Sequence, residues 1–204
     1  MTNRRIVVVT AGLGQPSSSR LLADRLAAAT VTALGEGGVA AQVEAVELRE
    51  HARALADALV TGFPAGGLRA ALDAVARADA VIAVTPVFAA SYSGLFKTFF
   101  DVLDADALAG TPVLIGATAG TARHSLVLEH AMRPLFSYLH AVVVPTAVFA
   151  APEDWAGGDG STATLGGRVA RAAGELAELV AVRRADRPAD PFSDPVPFEQ
   201  LLAG

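Results

Sequence analysis

Residues 80–101 read AVIAVTPVFAASYSGLFKTFFD. The first five, Ala80 to Val84, form a continuous apolar run of strand length, which predicts a strand buried on both faces. Pro86 cannot donate to a sheet ladder, so the strand is expected to stop at Thr85-Pro86. Small residues and hydroxyls follow around Tyr92, and a helix is expected from about Leu95. In an open α/β sheet, ligands bind beyond the carboxyl ends of the strands, where this loop would lie. Lys97 and Asp101 then stand one helical turn apart. Lys97 is the only lysine among 16 cationic side chains. The pair reads either as an ammonium kept for a ligand or as an exposed i,i+4 ion pair. The cation precedes the carboxylate, which is the less favourable order.

Outward from this stretch, strands and helices alternate. Residues 4–10 are apolar and β-branched, a second buried strand. The loop AGLGQPSSS follows, with serines where a helix N-cap is expected, then a helix from Arg20. Residues 42–48 predict a strand, and 49–61 and 68–78 predict helices separated by a Gly/Pro break. Residues 112–118 predict another strand. The helical pattern at 126–139 contains Pro134, where a kink or break is expected. A fifth strand over 141–150 carries Pro145, the mark of a sheet edge or bulge. A polar loop over 152–161 and a helix over 165–183 close a domain expected to span residues 1–184. Residues 185–204 hold four prolines and are expected to form an extended tail.

Five strands alternating with helices imply a parallel sheet covered on both faces, a three-layer α/β sandwich. Right-handed crossovers leave few topologies, and five strands suit the flavodoxin-like order 2-1-3-4-5. Its switch point lies between the first and third strands, so AGLGQPSSS and TPVFAASYSG would meet there.

Composition narrows the function. The chain has 204 residues, 52% hydrophobic and 18% charged, enough for one full-sized core. No apolar run approaches the ~18 residues of a membrane span, and the N-terminus has no apolar region of signal-peptide length. A cytoplasmic location is the expectation. There are no cysteines, and the 4 histidines show no metal-binding spacing. The net charge of −5 argues against nucleic acid as a partner.

The loops themselves are suggestive. Around Gly12, small residues permit a tight turn, and N–H groups at a helix start attract phosphate. The hydroxyls of Ser17, Ser18 and Ser19 add donors, and Arg20 would add charge if its side chain turned back. The same residues read equally as an ordinary serine cap. Neither a GxGxxG nor a Walker motif is present. Phe88 and Tyr92 are open to two readings, as walls for a flat ring or as core aromatics.

Taken together, three loops resemble the NAD(P)H-dependent FMN reductases of the flavodoxin-like superfamily. The nearest likeness is to reductases that serve two-component flavin-dependent monooxygenases such as the alkanesulfonate systems. The resemblance rests on Ala11-Gly12 with residues 16–22, on the run at 117–136, and above all on Thr85, Pro86, Val87, Tyr92, Ser93, Gly94, Lys97 and Asp101. It covers roughly residues 4–150. It implies an FMN phosphate held by Ser17, Ser19 and nearby backbone, within a site comprising Gly12, Ser18, Arg20, Thr85 and Ser91. It implies the isoalloxazine edge against Pro86, Val87 and Phe88 and against Thr118, Ala119, Gly120 and Thr121. It further implies NAD(P)H as co-substrate, hydride transfer to flavin N5, no protein acid or base essential to turnover, and a homodimer or homotetramer. A luciferase-like monooxygenase would receive the reduced FMN.

Two departures stand out: Gln15 replaces an arginine usual in the phosphate loop, and Phe88 replaces a tyrosine. His130 aligns with a tyrosine that lies near the flavin in some relatives, and here reads as a surface or interface residue. The competing functions are a quinone or azo reductase with resident FMN, a flavodoxin-type electron carrier, and a scaffold without cofactor.

Overall fold

The computed structural model describes residues 3–155 and 164–183. The expected tail over 185–204 and residues 156–161 of the expected polar loop lie outside them. Strand β1 (Asn3–Thr10) leads to helix α1 (Ser18–Glu36), then β2 (Ala40–Glu47), α2 (Ala52–Thr61) and α3 (Gly66–Ala76). Next come β3 (Ala80–Phe88), β4 (Ser91–Tyr92), α4 (Gly94–Val102) and β5 (Pro112–Thr118). The chain continues with α5 (Arg133–Tyr138), β6 (Val142–Val143), β7 (Val148–Ala150) and α6 (Leu165–Val182).

The sheet runs β2-β1-β3-β5-β6, with β4 beside β3 and β7 beside β5. Across its width this is the flavodoxin-like order, but seven strands build it where five parallel ones were expected. Two local events account for the difference. Around Pro145 the edge strand splits into β6 and β7, both parallel to β5, as a missing ladder donor dictates. After β3 the chain turns back through Ala89 and Ala90, and β4 pairs antiparallel with Val87 and Phe88. Both alanines lie in the left-handed region, at φ 48° and 66°, a conformation that costs about 1 kcal/mol or more for each non-glycine residue.

Apolar side chains fill both faces of the sheet. Val7, Val9, Val81, Ala83 and Ile115 face one core with α2, α3, α4 and α5. Ile6, Val8, Ile82, Val84 and Leu114 face the other with α1 and α6. On the first side Phe96, Phe99, Phe100 and Phe136 form an aromatic cluster with centroids 4.8–6.2 Å apart. Tyr92 joins it, 5.9 Å from Phe96, and is therefore a core aromatic. On the second side Gly116 lets α1 lie close on the sheet. A Cβ there would stand 3.2 Å from Val84 Cγ2 and 3.3 Å from Leu26 Cδ1.

The proline in the fourth crossover behaves as expected, with a refinement. A straight α-helix through Pro134 would drive its ring into the carbonyl four residues back. The chain instead widens into a π turn over Leu128–Met132, with the Arg133 N–H given to Leu128 O. Helix α5 then begins with the proline in its first turn, where no N–H is needed.

Candidate functional site

The strand register assembles the site. Pro86 lies beside Thr118 on β3 and β5, and Thr118 lies beside Ala150 on β5 and β7. Ala11, just beyond β1, donates its N–H to Val84 O at 3.0 Å. Four neighbouring strands thus end together at the β1/β3 switch point, and an open cavity of about 390 Å³ lies over their carboxyl ends. That is within the range of small-molecule sites.

One wall is the loop before α1. Ser17 caps the helix, its Oγ accepting from Arg20 N at 3.2 Å, and its carbonyl accepts from Leu21 N at 3.0 Å. The N–H groups of Ser18 and Ser19 precede the helical ladder, where an anion is stabilised. Ser19 is 2% exposed and its hydroxyl meets Thr118 Oγ1 at 2.7 Å, which joins this wall to the end of β5. Gly12 leaves room for the cap, since a Cβ there would fall 1.9 Å from Ser17 Oγ and force that hydroxyl to move.

The cavity is lined further by Pro86, Val87 and Phe88 at the end of β3 and by Thr118, Ala119 and Gly120 at the end of β5. Phe88 is half exposed at the rim. None of the described lining residues carries a charge.

Ten of the fourteen residues singled out from the sequence line this cavity: Gly12, Ser17, Ser18, Ser19, Pro86, Val87, Phe88, Thr118, Ala119 and Gly120. The other four do not. Arg20 turns away to Asp24, 2.8 Å from Nε, and to Glu47. The hydrogen bond to Asp24, with further help from Glu47, holds its pKa above the ordinary arginine value. Thr85 is buried under the loop, where its hydroxyl accepts from Ser93 N at 3.0 Å and donates to Pro86 O at 2.9 Å. Ser91 is taken up by the β4 pairing. Thr121 caps the short turn after β5, accepting from Arg123 N at 3.4 Å. Lys97 pairs with Asp101 on an exposed face of α4, outside the cavity lining, and His130 is exposed in the π turn.

The sequence reading did not name Leu13, Gly14, Pro16, Ala150, Pro152 or Trp155 as site residues, and all of them line the cavity. Trp155 follows the edge strand in the short turn Pro152–Trp155. Its ring is covered by the Arg25 guanidinium of α1, with Cζ 5.0 Å from the ring centroid. The turn is fixed by Asp154, whose Oδ2 accepts from Ala151 N at 2.8 Å. Beside the serine loop, Gln15 meets Arg49. With the amide oxygen facing the guanidinium, it accepts from both Nη atoms at 2.6 Å.

Residues 4–156 match the family model for NADPH-dependent FMN reductase. The chain belongs to that family. Among curated members, the NADH-dependent FMN reductase SfnE of Pseudomonas putida is 36% identical over 91% of this chain and 97% of its own length. A solved oxidoreductase from Corynebacterium diphtheriae is 49% identical, with a TM-score of 0.85 over 89% of this chain and 98% of that one. The flavodoxin-like, WrbA-like protein of Agrobacterium tumefaciens shares the fold at 16% identity, with a TM-score of 0.57 over 88% of this chain and 96% of that one. Family membership makes the chain an oxidoreductase of the NAD(P)H-dependent FMN reductase type, working with FMN and a nicotinamide donor.

The cavity residues suit that cofactor. Hydroxyls and helix-start N–H groups gather at the start of α1, an apolar ledge stands at the end of β3, and the absent Cβ of Gly12 leaves the loop backbone open.

Proposed function

We propose that this chain binds FMN in the cavity over β1, β3 and β5, reduces it with NAD(P)H, and supplies the reduced flavin to a flavin-dependent monooxygenase. The observation that carries the reading is the polarity of the cavity, with neutral donors at the start of α1 and an apolar ledge at Pro86, Val87 and Phe88.

The Ser17 and Ser18 hydroxyls and the N–H groups of Ser18 and Ser19 hold the phosphate. Ser19 itself is held in place through Thr118 Oγ1. Pro86, Val87 and Phe88, with Gly120, carry the edge of the ring system. Thr85 does its work from beneath, fixing the loop between Pro86 and Ser93. When bound, FMN would supply the hydride-accepting chemistry, with the nicotinamide as donor. Among the described residues no side chain on the cavity wall is an acid or base, so their part is to bind, orient and exclude.

Release of the flavin is supported by the open rim. Leu13 and Phe88 both line the cavity, yet are 55% and 48% exposed.

Two measurements test the reading. NADH and NADPH oxidation should depend on added FMN and saturate with it. Flavin-independent turnover of a quinone would replace the reading with a reductase that keeps its FMN. Ser17→Ala with Ser18→Ala should weaken FMN binding by about tenfold or more, given one or two lost hydrogen bonds to a charged group. Unchanged FMN affinity would sink the phosphate assignment.

A further inference from the structure

We propose that Arg49 is a positioning residue that holds the loop before α1 in its phosphate-receiving shape, by gripping Gln15 from the end of β2. The proposal rests on the FMN reading above. Gln15 stands where the resemblance leads one to expect a phosphate-loop arginine, and none of the described lining residues is a cation. Thirty-four positions later in the chain, a guanidinium nevertheless stands against that same loop. With the Gln15 amide turned so that its oxygen faces the guanidinium, the orientation that satisfies both groups, both Arg49 Nη atoms donate to that oxygen at 2.6 Å.

The grip is itself anchored. Arg49 Nε donates to Glu47 Oε2 at 2.8 Å. The other oxygen of Glu47 takes Arg20 of α1, and Arg20 Nε donates to Asp24 at 2.8 Å. Glu47 and Arg49 are well covered, with side chains 22% and 23% exposed. A chain of charge-assisted bonds thus runs Gln15–Arg49–Glu47–Arg20–Asp24. It ties the loop to the end of β2 and to the first turns of α1.

The geometry needs a guanidinium. Arg49 uses one edge for a carboxylate and its two Nη atoms for an amide, and only a planar fork with five donors does both in fixed directions. A lysine ammonium is a single point. Arg49 does not line the cavity, so its effect on phosphate passes through Gln15 and the backbone of Gly14 and Pro16, which do reach the cavity wall.

The test is a double-mutant cycle on the full chain, read by flavin fluorescence on binding, with FMN and riboflavin as probes. Riboflavin has the ring and ribityl chain without the phosphate. Arg49→Ala, Arg49→Lys and Gln15→Ala should each weaken FMN binding by about tenfold, the scale of one charge-assisted bond, and leave riboflavin affinity within about twofold, a change too small to carry one such bond. Arg49→Ala combined with Gln15→Ala should be no weaker than either alone. Gln15 is exposed, so Gln15→Ala leaves the core untouched and carries the test if an Arg49 variant fails to fold. FMN affinity preserved in Gln15→Ala, losses that multiply in the double variant, or FMN affinity restored by Arg49→Lys would each overturn the proposal while leaving the FMN site standing. A wild-type protein that binds FMN no better than riboflavin would overturn the phosphate site, and this proposal with it.

Discussion

At Gly12 a single missing carbon shapes the site. An alanine Cβ would sit 1.9 Å from Ser17 Oγ, 3.0 Å from Ser17 Cβ and 3.3 Å from Ser19 Cβ. Rotating the Ser17 hydroxyl away would relieve the first contact only by giving up the cap on Arg20 N, a loss of about 1 kcal/mol. The second contact would still push the loop off its path. Gly12→Ala should therefore lower the melting temperature by about 2–4 °C, the usual yield of 1 kcal/mol at this size. It should also weaken FMN binding by about tenfold or more, as loop donors leave their places. Thermal denaturation and FMN titration check the two effects separately, and wild-type FMN affinity would mean the loop path is irrelevant to the ligand. Gly12 and the three serines were legible from the sequence because the signals they carry are local: a turn, a cap, a run of hydroxyls. Trp155 and Pro152 were not. Nothing near them in the chain announces a ligand, and only the register of β7 beside β5 brings their turn to the cavity. The hydroxyl contact between Ser19 and Thr118, 99 residues apart, was hidden for the same reason. Arg20 shows the converse. A cation beside a phosphate loop invites a ligand role, but Asp24 one turn on and Glu47 across the strand end claim it first.

At the scale of elements, prolines decide where the pattern breaks, and side chains repair what they leave. Pro134 widens the chain into a π turn, and Pro145 splits the edge strand. Both positions were readable as disturbances, because a missing N–H is visible in any sequence. The repair was not readable. Arg133 spans both breaks: Nη1 donates to Val144 O and Nη2 to Pro145 O, each at 3.0 Å, while Nε and Nη2 hold Glu129. Arg133→Ala should destabilise the protein by about 1–2 kcal/mol in urea unfolding, chiefly by leaving the strand-break carbonyls without their donor. A loss below about 0.3 kcal/mol, within the reach of an ordinary surface change, would show that solvent replaces it. Glu129 adds a pH signature. Its hydrogen bond from Arg133, aided by the nearby charges of Arg133 and His130, outweighs burial and holds its pKa below the ordinary carboxylate value. A depressed folded pKa stabilises the protein above the unfolded value, about 4.3, and the gain is lost as pH falls through the folded value. The Glu129 side chain is half exposed, so the gain is at most a few tenths of a kcal/mol. The difference in stability between wild type and Glu129→Gln should therefore be small at pH 7 and shrink further as the solution is acidified below the unfolded value. A difference that grew on acidification would reverse the assignment.

Across the described residues, charge is kept off the cavity lining. At the amino end of the sheet, Arg4 is 7% exposed and pairs with Asp79 at 3.3 Å. Arg183, at the end of α6, donates to Asp79 O at 2.8 Å and to Thr111 at 3.2 Å. That cluster pins the last helix to the strand starts. At the carboxyl end, Arg20 and Arg49 beside the loop are matched by Asp24 and Glu47, and none of the described lining residues is charged. The chain as a whole carries −5. A phosphomonoester carries a charge of about −1.5 to −2 at pH 7, so in the proposed site FMN would approach a protein of its own sign and be held by neutral dipoles. Salt acts on these two terms differently. It screens the long-range repulsion, whose reach is about 10 Å at 0.1 M, and it leaves short hydrogen bonds from hydroxyls and helix-start N–H groups nearly untouched. FMN affinity should therefore hold steady or rise slightly from low salt to about 0.5 M sodium chloride, where the screening length is only a few ångströms. Riboflavin, lacking the charge, should be unaffected throughout. A cation bound directly to the phosphate would give the opposite slope, because salt would compete for it. A steep loss of FMN affinity with salt would thus place an arginine on the phosphate and refute an uncharged site.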